Sequence, residues 1–134
     1  MVIVFLDTNI VIYSVERNLV WGPKVAVRLA ALKGAGDEAA ISDLIRMECR
    51  VGPLKSGNMV RLNEFDAFFA SPEVQVFPAT AAVCDRASEI RAAHGFKPLD
   101  ALHLAAAIEN HCGLFLTNDT RLSRFAGIPI EVLT

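Results

Sequence analysis

The sequence predicts an α/β sandwich, with helices on both faces of a mostly parallel sheet. Three observations predict it. Candidate strands and helices alternate along the whole chain, which favours a parallel sheet over segregated helical and strand regions. The opening run Val2–Leu6 is continuously apolar and rich in β-branched residues, the pattern of a strand covered on both faces. Glycines and prolines stand at the ends of these segments, where they stop helices and bound strands.

Taken in order, Val2–Leu6 is the first strand and a central one. Lys24–Lys33 carries Val25, Leu29 and Leu32 at helical spacing, begins just after Pro23 and stops at Gly34 and Gly36, so a helix is expected there. Ala39–Ser42 is a short apolar strand. Ser42 stands where it can cap a helix in which Leu44 and Glu48 share a face, and Gly52 and Pro53 are expected to end that helix. Leu62, Phe65 and Phe69 put a helical stripe on Asn58–Ala70, and Pro72 and Pro78 bound a strand at Val74–Phe77. Thr80–His94 reads as a helix stopped by Gly95. Pro98 opens another that reaches about His111, with Gly113 just beyond. Leu114–Thr117 is the next strand, and a last short helix and strand complete the chain.

At 134 residues the chain fits one domain, residues 1–134, around one hydrophobic core. Hydrophobic residues make up 53% of it, a composition that folds and is far from that of a disordered chain. Its apolar runs are too short or too interrupted to cross a bilayer, which takes about 20 apolar residues. Met1–Leu6 lacks the basic flank and cleavage site of a secretory signal, so a cytoplasmic location and no membrane partner are expected. Cys49, Cys84 and Cys112 are odd in number and widely separated, without a CxxC pair. That argues against a disulfide framework and a thiolate zinc site. The net charge of −2 does not attract phosphate, so a nucleic-acid partner would have to meet a local basic patch.

The chemistry has to come from acids. In parallel α/β sheets ligands gather beyond the carboxyl ends of the strands, where the following helices also point their N-termini. Asp7 follows the first strand and Asp119 follows LFLTN, so both reach one crevice if those strands are neighbours; an ordinary helix N-cap would look the same. Asp100 lies in the first turn of a helix whose face continues through Leu104 and Ala107, which leaves its carboxylate partly desolvated. A dipole-stabilising acid would also stand there. Glu48 shares its face with Leu44, with Arg46 and Arg50 nearby. Partly buried acids without basic partners call for a cation. Oxygen-only donors suit magnesium or manganese better than zinc.

These pieces, VFLDTNIVIY with Asp7, ISDLIRMECR with Glu48, PLDALHLAAA with Asp100 and LFLTND with Asp119, occur in an order and spacing that resembles the PIN-domain family, and specifically its VapC-type toxins from bacterial and archaeal toxin–antitoxin pairs. The resemblance covers essentially the full chain. It implies a PIN-like α/β/α sandwich and single-strand endoribonuclease activity at a Mg(2+) or Mn(2+) centre. Carried over residue by residue, it makes Asp7, Glu48, Asp100 and Asp119 the metal ligands and catalytic residues, some of them acting through water. Thr8 and Asn9, and Thr117 and Asn118, would shape the turns that hold Asp7 and Asp119. It also implies a homodimer and a small VapB-like antitoxin that covers the site, for which an Arg placed among the carboxylates is one means of inhibition.

Other features carry less. Asp100 and His103 share a helical face in a D-x-x-H spacing, but carboxylate-bridged metal sites need that motif twice, so His103 is expected to pack or to line the site. Arg46, Arg50, Lys55 and Arg61 form a basic run that either holds an RNA backbone, with Arg46 and Arg50 nearest the site, or is a solvated helix face. Phe65, Phe68 and Phe69 either form a groove for a partner helix or, for Phe65 and Phe69 more simply, pack in the core, and Trp21 in its loop is a weaker interface candidate. Two rival readings remain. A receiver-type phosphoacceptor switch wants paired acids after the first strand and a phosphoacceptor Asp after the third, where this chain has Pro78 and Ala79. A non-catalytic PIN-like binding module would not need all the acids.

Overall fold

A computed structural model describes residues 1–134. Its five strands, β1 (Ile3–Leu6), β2 (Glu38–Ser42), β3 (Val74–Phe77), β4 (Leu114–Thr117) and β5 (Ile130–Val132), form one sheet in the order β3-β2-β1-β4-β5. Every pairing is parallel, so the expected mostly parallel sheet is a wholly parallel one. Six α-helices connect or follow the strands: α1 (Thr8–Glu16), α2 (Trp21–Gly34), α3 (Asp43–Ser56), α4 (Met59–Ala70), α5 (Ala81–His94) and α6 (Pro98–Glu109). A 3-10 helix at Thr120–Arg124 precedes β5. None of the helices is long and apolar enough to cross a membrane.

The central place of β1 follows from its composition. Val4, Phe5 and Leu6 are fully buried, with β2 on one side and β4 on the other. Phe5 stacks on Phe115 of β4 with ring centroids 5.4 Å apart, which ties the two strands through their side chains as well as their ladder. Helix α6 is buried almost all round, at Ala101, His103, Leu104, Ala105, Ala106 and Ala107. Its small residues let it lie close to the sheet. A core of 29 buried residues joins the sheet to the helices.

The limits of α2 and α3 differ from those expected, each for a physical reason. Helix α2 begins at Trp21, not Lys24, because Asn18 Oδ1 accepts the backbone N–H groups of Val20 and Trp21 at 3.0 and 2.8 Å. Pro23 then sits inside the first turn, where its missing N–H leaves nothing unpaired. Helix α3 runs through Gly52 and Pro53 to Ser56. Ile45, Cys49 and Pro53 form its buried stripe, so packing outweighs the hydrogen bond that the proline removes. The actual stop is Gly57, whose left-handed φ of 71° turns its N–H onto the Pro53 carbonyl.

Ser42 also departs from expectation. It occupies the N-cap position of α3, but its side chain makes no capping bond and its hydroxyl is buried without a partner. Thr80 and Asn58 do cap their helices, accepting from Val83 N–H at 3.2 Å and Arg61 N–H at 3.0 Å. Helix α6 ends at Glu109, short of His111, which takes a positive φ of 58°.

Candidate active site

The chain moves outward from β1 to β2 and β3, then crosses to the other side for β4 and β5, so the strand order reverses at the β1/β4 junction. Beyond the carboxyl ends of those two strands lies the crevice where such sheets place ligands. Asp7 and Asp119 come from these two ends, and the Asp7 N–H donates to Leu116 O at 2.9 Å, which continues the ladder into the crevice.

The DTN and TND segments are laced to each other. Asp7 is buried and caps α1: one carboxylate oxygen accepts from the Thr8 N–H at 2.8 Å and the other from the Thr117 hydroxyl at 2.7 Å. Thr117 Oγ1 in turn accepts from the Asp119 N–H at 3.0 Å. Asn9 Oδ1 accepts from the Asn118 N–H at 3.1 Å. The Tyr13 hydroxyl donates to Asn118 Oδ1 at 3.1 Å, and the Asn118 amide donates to Leu133 O at the same distance. The polar run after β1 therefore caps a helix and also fixes the end of β4.

Two helices bring the remaining acids to the same place. Glu48 of α3 and Asp100 of α6 line, with Asp7, Thr8, Asn9, Ile12, His103 and Asp119, a cavity of about 260 Å³. Larger space exists elsewhere: a cavity of about 600 Å³ opens between α2 and α4, floored by Leu29, Leu32 and Phe68. Its Lys33 is already paired with Glu73 at 2.6 Å. The acid cavity is the smaller one, but it gathers four carboxylates, from two strand ends and two helices, in one lining.

Each carboxylate sits in a different electrostatic state. Burial raises the Asp7 pKa; the nearby His103 and the Thr117 and Thr8 hydrogen bonds pull against it, and Asp100 adds to the rise. Asp100 is also raised, by burial first and then by Asp119, and no hydrogen bond is among the influences on it. Burial also pushes Glu48 upward, but hydrogen bonds from His103 and Thr8 more than offset this and hold it below the usual range. Arg121 depresses Asp119 through a two-pronged contact, with its NH2 group 2.5 Å from Oδ2 and its Nε 3.0 Å from Oδ1.

The donor set agrees in kind with a magnesium or manganese ion. It is all oxygen, carries excess negative charge, and includes in Asp100 a half-buried carboxylate with no protein partner. As the side chains stand, no three acid, histidine or cysteine donors are gathered to grip one ion. These cations keep much of their water and need only one or two direct carboxylates, so a tight cage is not required.

The basic residues lie apart. Arg46 stacks its guanidinium over Phe69 at 5.3 Å, Arg50 is paired with Asp66 of α4, and neither lines the cavity. Arg61 donates to Val15 O at 3.0 Å. Sequence reasoning overlooked Arg121. Its only signal was a D-x-R spacing at the start of a short helix, which is too common to mark a site. His103 both packs and lines the site: it is buried, it lines the cavity, and its Nε2 lies 2.5 Å from Glu48 Oε1.

Comparison with known proteins places these features in a family. The PIN domain family matches residues 4–128. No relative among curated proteins matches the sequence. Several solved structures share the fold. VapBC2 from Rickettsia felis, bound to a DNA fragment from its promoter, matches with a TM-score of 0.83 and 20% identity, over 98% of this chain and 99% of that one. DNA-bound VapBC from Salmonella typhimurium matches with a TM-score of 0.81 and 21% identity over the whole of both chains. VapC20 of Mycobacterium tuberculosis, a toxin that cleaves the sarcin–ricin loop, matches with a TM-score of 0.73 and 18% identity, over 94% of this chain and 98% of that one. With the sheet order, the acidic crevice and a family match over nearly its full length, the chain belongs to the PIN domain family.

Proposed function

We propose that this protein is a metal-dependent endoribonuclease of the VapC-like toxin kind, hydrolysing RNA phosphodiester bonds and neutralised by a cognate VapB-like antitoxin. The observation that carries this reading is the convergence of Asp7, Glu48, Asp100 and Asp119 on one cavity at the β1/β4 reversal. These four would hold Mg(2+) or Mn(2+), which when bound supplies activated water and charge neutralisation at the scissile phosphate.

The chain's own residues do the rest. Asp7 is held by Thr117 and Thr8, so its carboxylate is aimed before any ligand arrives. Asn9, Thr117 and Asn118 keep the two strand ends in register, and Asp119 follows them at the rim. Asp100 needs no partner displaced before it can bind a cation. Arg46 and Arg50 on α3 are the candidates for RNA backbone contact, although Arg50 must share its charge with Asp66.

A protein partner is supported by the surface of α3. Met47, Val51 and Leu54 stand exposed at i, i+4 and i+7, and Met59 and Val60 are exposed beyond the following turn. An antitoxin or a second copy in a homodimer would bury such a row.

The test is cleavage of total RNA, and of a sarcin–ricin loop oligonucleotide, by the purified protein with Mg(2+), with Mn(2+) or with EDTA. Discrete products that appear with metal and vanish with EDTA are expected. No cleavage under any condition, with antitoxin shown to be absent, would reject an RNase of these substrates; EDTA-resistant cleavage would reject the metal centre.

A further inference from the structure

Three helices meet at Oε1 of Glu48. From α1, the Thr8 hydroxyl donates to that oxygen at 2.6 Å. From α6, His103 Nε2 lies 2.5 Å from it. Thr8 Oγ1 and His103 Nε2 are themselves 3.3 Å apart, so both donors converge on one side of the carboxylate. No protein hydrogen bond reaches the other oxygen, Oε2.

An ionised carboxylate only accepts, so the hydrogen of this short contact belongs to His103 Nε2. The opposite nitrogen, Nδ1, is buried and has no partner. A hydrogen on Nδ1 would have no acceptor, so the nitrogen that donates to Glu48 is Nε2. The ring is only 2% exposed and lies against Phe5, with centroids 6.5 Å apart. A residue needed merely to fill this space would be better as Leu, because an orphaned buried polar atom costs about 1–3 kcal/mol. The imidazole carries that penalty while its other nitrogen holds Glu48.

We propose that His103 is a positioning residue of the nuclease centre: with the Thr8 hydroxyl it locks Oε1 of Glu48 and leaves Oε2 as the single oxygen that Glu48 offers to the cavity. This rests on the functional reading above. Glu48 then meets a cation through one oxygen only, and its reach is set by α6 as much as by α3. The likeness to second-row partners of metal ligands elsewhere is chemical: a hydrogen bond to the unused atom fixes the used one.

Calorimetric titration of the full-length protein with Mn(2+) tests this, together with the nitrogen NMR spectrum of the histidines. His103→Leu is expected to weaken Mn(2+) binding by about tenfold or more, the usual effect of losing such a partner. His103→Gln, whose amide can still donate to Glu48, should recover most of that loss, which a purely space-filling role would not produce. In the wild type the His103 hydrogen should be on Nε2, and Glu48→Gln should shift that resonance. Folded His103→Leu with wild-type Mn(2+) affinity would overturn the proposal and leave the nuclease reading standing. Absence of Mn(2+) binding by the wild type would overturn the nuclease reading, and the proposal with it. Should His103→Leu fail to fold, the wild-type spectrum still decides, because a ring without a hydrogen on Nε2 contradicts the clamp.

Discussion

Asp7 and Asp100 face the same cavity but are held in opposite ways, so their replacements should differ in stability. Asp7 caps α1 and accepts the buried Thr117 hydroxyl. Asp7→Ala should lower stability by about 1 kcal/mol for the cap and by about 1–3 kcal/mol for the Thr117 hydroxyl left without an acceptor, offset in part because burial opposes the Asp7 charge. Asp100 is held by no hydrogen bond, and burial and Asp119 both oppose its charge. Asp100→Asn should therefore leave the melting temperature unchanged or raise it. Thermal unfolding of the two variants at low ionic strength checks this, and a large loss of stability in Asp100→Asn would show that its carboxylate has a protein partner after all. The acids were legible in the sequence because each sits at a recognisable local signal, a strand end or the first turn of a helix. Their partners were not. Arg121 reaches Asp119 only because a 3-10 turn folds it back, and His103 reaches Glu48 across 55 residues of chain.

At the scale of elements, strand limits read well from composition, since Val74–Phe77 and Leu114–Thr117 are bounded by prolines, glycine and polar residues that end pairing. The end of α3 did not. Local rules make Pro53 a stop, but Pro53 is buried on the same stripe as Ile45 and Cys49, and that packing is a tertiary fact. The true stop at Gly57 has φ 71° and open space around the position of a Cβ. Gly57→Ala should thus cost about 1–2 kcal/mol, all of it from the left-handed backbone, measurable as a lower urea midpoint with unchanged slope. A neutral substitution would mean that α3 ends elsewhere. The capping expectation at Ser42 failed for a related reason: β2 buries the residue before its hydroxyl can reach the helix N–H groups.

The whole molecule is a layered core with its four candidate acids at one opening, and its thiols report on how closed that core is. Burial pushes the Cys49 thiol to about 12 and the Cys112 thiol to about 11, while Cys84 is exposed. A thiol reagent at pH 8 should modify one cysteine per native chain and all of them after denaturation, because the thiolate is the reactive form. Rapid modification of Cys49 in the native protein would mean that α3 does not pack as described. The same core sets β1 beside β4 and so brings Asp7 and Asp119, from near the two ends of the sequence, to a single crevice, with α3 and α6 delivering Glu48 and Asp100. Everything proposed about function depends on that convergence being a working centre. The most direct test is RNA cleavage by wild type and Asp100→Asn side by side with Mn(2+), at equal concentration and with matched melting curves. The account predicts discrete products from the wild type and a loss of at least about 100-fold in the variant, the scale of removing a group that stabilises charge in a transition state. Equal cleavage by both folded proteins would contradict it.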